Sequence, residues 1–235
     1  RSFLAAVLAP AVALSMAAPD IAQALQPGDI AFTSFNADNE SVAIIALVNL
    51  APNQSLFLTD NEWNGSAFNN GESYFAWNTG GGVAAGTVVQ MAGLGASPQS
   101  SAGSLSRVVV PGNTLGGLSQ TAETLYLYEG TSATAPSRFI TAITNSDLTV
   151  SNGSLSSTGL IVGQSAIQLA GGSDSARSLG ATPLTNPSQL FNSAQWQDLG
   201  DGNFSAPIPE PSWPWMTAIG LALLAVQRRM KKDPQ

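Results

Sequence analysis

The sequence predicts an all-β protein, an antiparallel β-sandwich flanked by an N-terminal signal helix and a C-terminal transmembrane helix. Two observations carry the β prediction. Short runs rich in β-branched and aromatic residues recur between Gly, Asn, Pro and Ser, and several of them alternate with period two. Nine runs qualify as strands: 29–35, 42–49, 55–59, 74–77, 86–92, 105–110, 124–129, 139–144 and 166–169. Leu56 and Leu58 alternate with Phe57 and Thr59, and Leu125 and Leu127 with Tyr126 and Tyr128, so these strands have two distinct faces. The run 42–48 is apolar on both faces, as suits a central strand. The one helix expected in the body covers 187–195, where Asn186 can cap free amides and Pro187 presets the first-turn dihedral. Residues 93–106 and 145–160 are Ser- and Gly-rich and are expected to be long exposed connections. No convincing internal repeat interrupts this pattern.

The two ends read differently from the body. After Arg1 no charge occurs until Asp20, through an Ala-rich apolar stretch that has the shape of a secretory signal. Small residues at Ala22 and Ala24 make the best site for signal peptidase, so the mature chain is expected to begin at Leu25. At the other end, Pro209-Glu210-Pro211 leads into an apolar run and then the basic stop Arg228, Arg229, Lys231 and Lys232. The 17 residues from 211 to 227 carry no charge. As helix they reach roughly 25 Å, slightly short of a hydrocarbon core of about 30 Å. The predicted organisation is therefore a signal peptide at 1–24, an exported β domain at 25–205 and a C-terminal tail at 206–235 with a transmembrane helix at 213–227. The basic cluster places the tail in the cytoplasm and the body outside.

Composition narrows the chemistry. The chain of 235 residues has no His and no Cys, which excludes Ser-His-Asp and Cys-His catalysis, thiolate or imidazole metal sites and disulfides. Its net charge of -7 argues against nucleic acid, whose phosphates require clustered Lys and Arg. From Leu25 to Pro207 twelve acids face three bases, Arg107, Arg138 and Arg177, so the exported part carries -9 and no Lys. What remains is carboxylate chemistry, oxygen-ligated hard cations, or no chemistry at all.

Two resemblances add to this reading. The Pro209-Glu210-Pro211 motif, the apolar run to Val226 and the basic residues Arg228 and Arg229 resemble the PEP-CTERM sorting signal of Gram-negative bacteria. That resemblance implies an exosortase partner that removes the tail near the motif, a cell-surface or released destination, and association with exopolysaccharide matrix. Pro214, within Trp213-Pro214-Trp215, departs from the pattern by shortening the helix. The segment from Pro27 through Asp38, followed by the strand at Val42 and by Thr59-Asp60-Asn61-Glu62-Trp63, resembles the start of lamin-tail-like domains. This implies an immunoglobulin-like sandwich used for binding or display, with no catalytic residue to carry over.

Candidate sites follow from the acids. Asp60, Glu62 and Asn64 place oxygens at alternate positions of an extended turn and are candidate ligands for Ca2+, with Asp38 or Glu72 borrowed from a neighbouring loop. The bland alternative is a turn whose Asp60 and Asn64 bond their own backbone. Asp198, Asp201 and Asn203 form a thinner cluster of the same kind. Glu62 and Glu72, near Trp63 and Trp77, are the pair a glycoside hydrolase would use. The tryptophans at 63, 77 and 196 serve more naturally as core plugs than as sugar platforms. The sequence thus favours an exported, surface-anchored, non-catalytic sandwich, with no cofactor, over a calcium- or carbohydrate-binding adhesion module and over a hydrolase.

Overall fold

Each of the nine runs expected to be extended lies on a strand of the computed structural model, which describes residues 24–113, 116–180 and 186–202. Within those residues the strands are β1 (Ile30–Asn36), β2 (Ser41–Ala46), β3 (Ser55–Thr59), β4 (Tyr74–Asn78), β5 (Val88–Ala92), β6 (Gln99–Ser100), β7 (Ser104–Val108), β8 (Thr124–Ser132), β9 (Ala135–Thr144), β10 (Ala166–Gln168), β11 (Ser175–Ser178) and β12 (Trp196–Asp198). They form two six-stranded sheets, ordered β12-β11-β1-β2-β5-β6 and β10-β9-β8-β3-β4-β7. Among the described residues no helix is long and apolar enough to cross a membrane, and the expected spans at both ends lie outside those residues.

The sheets meet over one apolar layer. Ile30, Phe32, Phe35, Val42 and Ile44 of the first sheet pack with Leu56, Leu58, Phe75, Trp77, Leu125, Leu127 and Ile143 of the second, all nearly inaccessible to water. The alternation read from the sequence sets these faces, since a strand sends successive side chains to opposite sides. Trp77 is the largest fully buried side chain, and its indole N–H donates to Ala102 O at 3.0 Å. Leu25 is also part of this layer.

Both outer faces are covered as well. Every residue of β1 and of β2 is buried, unlike the half-wet strands of an ordinary antiparallel sheet. Ala31, Ala43, Ile45 and Val88 on the outside of the first sheet pack beneath Leu190 and Phe191. Outside the second sheet, Tyr74, Tyr126, Tyr128 and Phe139 gather with Trp63 and Phe68 from the β3–β4 loop and Leu160 from the β9–β10 connection. The rings sit edge to face or tilted, with Phe68 at 5.2 to 6.0 Å from Tyr74, Tyr126, Tyr128 and Phe139.

Four expectations need correction. The pairing is not antiparallel throughout: β9 and β10 run parallel, with Ala142 opposite Ala166 and Ile143 opposite Ile167. A parallel neighbour cannot be reached by a tight turn and needs a crossover of a dozen or more residues. The stretch 145–160 belongs to that crossover and is not simply exposed. Asn145, Ser146, Ser154, Thr158 and Leu160 are buried, because the segment lies across the aromatic cluster. Gly153 passes so close that a Cβ there would lie 2.6 Å from the Tyr126 hydroxyl. Residues 93–106 likewise bury Leu94 and contain β6 and the start of β7.

The helix expected at 187–195 is two 3-10 turns, Pro187–Phe191 and Ser193–Gln195. Asn186 does cap the first, its Oδ1 accepting from Ser188 N–H at 3.0 Å. Asn192 then adopts an extended conformation (φ -95, ψ 111) and caps Ala194 N–H, so its side chain substitutes for the bond that would continue a helix. Three short strands, β6, β11 and β12, were not expected from the sequence. Of the four sheet edges, β6, β10 and β12 are only two to three residues long and β7 is five.

Trp77→Ala should lower the unfolding free energy by about 3–5 kcal/mol in chemical denaturation, through lost burial and the cavity left. Val109→Ala, at a residue 88% exposed, should change it by no more than about 0.5 kcal/mol.

Candidate functional site

Strand direction collects acids at one end of the sandwich. β3 runs out into Asp60, Glu72 and Ser73 lead into β4, and Glu123 immediately precedes β8. Since β3 pairs antiparallel with both β4 and β8, these residues fall on the same edge, and the turn between β1 and β2 brings Glu40 there. Asp60 is 1% exposed and Glu123 is 2% exposed.

Backbone amides supply much of their hydrogen bonding. Ser73 N–H donates to Asp60 Oδ1 at 2.8 Å. Ser119 and Thr124 N–H donate to the two oxygens of Glu123, at 2.7 and 3.1 Å. Leu118 N–H donates to Glu40 Oε2 at 2.7 Å. The neighbouring cation is Arg107, whose guanidinium sits 5.0 Å over the Phe75 ring and donates to Ser73 Oγ and Leu94 O. Among the described residues the one direct ion pair lies elsewhere, between Arg138 and Glu129 at 3.6 Å.

Burial under these conditions raises the proton affinity of the carboxyls. Desolvation pushes Asp60 up to about 7, against its backbone hydrogen bonds and the attraction of Arg107. It pushes Glu72 up to about 8, reinforced by the charges of Asp60 and Glu62. Glu123 is raised well above the ordinary carboxylate range by burial first and then by Asp60 and Glu72. Glu40 is raised by burial, partly offset by the Leu118 amide and Arg107. Tyr74 is pushed up to about 12 by burial and by Asp60.

Asn61 organises the loop that carries these groups. Fully buried, it donates through Nδ2 to Thr59 Oγ1 and Ser73 O at 2.9 and 3.2 Å. Its Oδ1 accepts from Gly71 and Glu72 N–H at 3.2 and 3.1 Å. The amide thus closes a loop of more than ten residues on itself.

The residues singled out in the sequence are distributed rather than convergent. Asp60 turns inward to Ser73; Glu62 accepts from Asn69 Nδ2; Asn64 Oδ1 accepts from Ser66 and Ala67 N–H, each at 3.0 Å. Among the described residues no group of three or more acidic side chains is arranged to hold a metal ion. Asp198 Oδ1 accepts from Gly200 N–H at 3.0 Å, and Asp174 is raised chiefly by a hydrogen bond with Asp201, while Asn203 lies outside the described residues. Ala24 is exposed at the start of the described chain; Ala22, Pro209, Glu210, Pro211, Arg228, Arg229, Lys231 and Lys232 lie outside it.

Glu72 reaches a small concavity at this end. With Arg107, Val108, Val110 and Asn113 it lines a cavity of about 40 Å³. Glu72 Oε2 and Asn113 Oδ1 are buried there without hydrogen-bond partners. That volume suits about one water and is far below the ~300–1,000 Å³ of small-molecule sites, so no sugar ring fits between Glu72 and its neighbours. Trp63 and Trp77 are both packed inside, with the Trp63 indole N–H donating to Ser156 O at 2.9 Å.

Sequence reasoning missed Glu40, Arg107 and Glu123 as members of this assembly. A usable signal existed: Asp60, Glu72 and Glu123 each lie within two residues of a strand end, on the side that antiparallel pairing brings together. No family model, curated protein or solved structure matches the chain.

Asn61→Ala removes the acceptor of the Glu72 amide and a donor to Ser73 O. It should lower the unfolding free energy by at least about 2 kcal/mol, measured by urea titration.

Proposed function

We propose that this chain is an exported, surface-anchored, non-catalytic β-sandwich whose C-terminal tail is read and cut by an exosortase, with the body displayed in the envelope or the exopolysaccharide matrix. The observation that carries the proposal is the order of three parts in the tail. Pro209-Glu210-Pro211 is a spacer, the run to Val226 is long and apolar enough to enter a bilayer, and Arg228, Arg229, Lys231 and Lys232 stop transfer. Pro209 and Pro211 favour extended chain without internal hydrogen bonds, which leaves Glu210 accessible to an enzyme.

The body is compatible with display. Its sheets close over their own layers before the tail begins, and Leu25, the first residue after the expected signal cut, already sits in the central layer. The charge of -9 on the exported part keeps copies apart in solution without a single Lys. The resemblance of the residues from Pro27 to Trp63 to lamin-tail-like domains supports reading the sandwich as an immunoglobulin-like display module. Its later strands go beyond the small domain that resemblance implies. The packed tryptophans and the small cavity favour display over sugar binding or hydrolysis.

Glu210→Ala should leave a full-length, membrane-retained species in the native host, seen by intact-mass spectrometry of membrane and released fractions. Unchanged processing would remove the sorting enzyme from the account.

A further inference from the structure

Residues 73–122 contain no Asp and no Glu, although residues 25–207 hold twelve, and Arg107 is the one charged residue among them. They supply β4, β5, β6 and β7, the two strands at one end of each sheet. β6 and β7 lie side by side, joined by residues 101–103, so one flank of the sandwich is built from acid-free chain. Glu72, just before β4, buries its Oε2 in the small cavity. Net charge keeps copies of the molecule apart, and on this flank that repulsion is least.

Within the flank, the edge of β7 is unguarded. It pairs on one side only, with β4, and does so through all five residues without a shift of register. Edges are usually blunted by brevity, by Lys or Pro, by a bulge, or by an inward charge that pairing would strand. β7 has no Lys, no Pro and no bulge. Its inward charge, Arg107, already donates to Ser73 Oγ and Leu94 O over the Phe75 ring, so a strand laid alongside leaves it bonded. Ser104 and Ser106 are small and exposed. Val109, just beyond, is 88% exposed, the highest value for a large apolar side chain among the described residues.

We propose that β7 is a self-association edge, on which β7 of a second copy pairs antiparallel about a two-fold axis at Ser106. The strand suits itself. Ser106 is the midpoint of β7, so this axis pairs the strand over its whole length and sets Arg107 opposite Leu105 of the other copy rather than opposite a second Arg107. Two acid-free flanks then meet, whereas docking through the Asp60–Glu123 end would bring like charges together. Val109 of each copy is carried toward Gly103 of the other, where no side chain stands in the way. The pairing merges two six-stranded sheets into one continuous sheet. A five-residue ladder buries far less than the roughly 1,200–2,000 Å² of a stable interface, so the dimer is weak, with a Kd on the order of 100 µM.

The test uses the full chain in detergent micelles. Between about 10 µM and about 1 mM protein, the β7 amides that exchange fastest in dilute protein should slow about threefold or more, while Leu127 in β8 is unchanged. The chain has no Cys, so a single introduced one reports position cleanly. At about 100 µM, a short bis-maleimide should join Ser106→Cys at least about fivefold faster than Ser151→Cys, which is exposed on the β9–β10 crossover. Ser106→Lys sets like charges face to face at the axis and should abolish the concentration dependence, with the melting temperature of dilute protein unchanged. Equal cross-linking at the two cysteines, or a Ser106→Lys variant that still slows exchange in β7, would overturn the proposal. So would β7 exchange that is independent of concentration; slow exchange already present in dilute protein would assign the edge to an occupant within the same chain. If Ser106→Lys does not fold, the wild-type exchange and the cysteine pair decide alone.

Discussion

Two sheets that are apolar on both faces impose the main constraint on this molecule. A sandwich with one wet face per sheet needs only its central layer. Here the outside of β2 carries Ala43 and Ile45, and the outside of β8 carries Tyr126 and Tyr128, so each sheet requires a second cover. The covers are made from loops and one 3-10 turn, whose own amides and carbonyls must then be satisfied. This explains the density of side-chain caps from Asn, Ser and Thr. Asn61, Asn64, Asn145, Asn186 and Asn192 each bond backbone groups that no ladder reaches.

The acidic end follows from the same architecture. Where loops roof the strand ends, acids lose water, Asp60 and Glu123 almost completely and Glu40 and Glu72 in part. Asp60 and Glu123 are compensated by amides, a weaker remedy than a contacting cation, and burial raises the proton affinity of both. Residues 25–207 have only three arginines, and two of them, Arg138 and Arg177, are engaged with Glu129 and Gln197. Arg107 alone reaches the cluster, and it is held over Phe75 between its bonds to Ser73 and Leu94.

Local pattern made most of the strands legible. Alternation at Leu56 and Leu58, and at Leu125 and Leu127, identified the inner faces, and the two-sided run at Val42 marked a central strand. What stayed hidden depends on distance in sequence. β11 has the residues Ser-Ala-Arg-Ser, with no β-branched or aromatic signal, and is a strand because Ser34, Phe35 and Asn36 offer it a partner edge. The parallel β9–β10 pair is invisible until the crossover is seen to lie on the tyrosines. The helix misreading at Pro187 came from a correct start signal without a sustaining period. For the candidate site, the sequence supplied Asp60 and Glu72 as acids of interest but grouped them with near neighbours. Glu40 and Glu123 join them through the β1–β2 turn and the β3–β8 pairing, which no spacing rule encodes.

The short outermost strands have a bearing on life at high density. A sheet margin offers bare amides and carbonyls to any similar margin nearby, and long flat margins invite copies to zip together. β6, β10 and β12 present two or three residues each, too few for a lasting foreign strand to add. The fourth margin, β7, is five residues long, so brevity guards three edges and leaves this one as the place where a foreign strand finds the longest run of bare backbone.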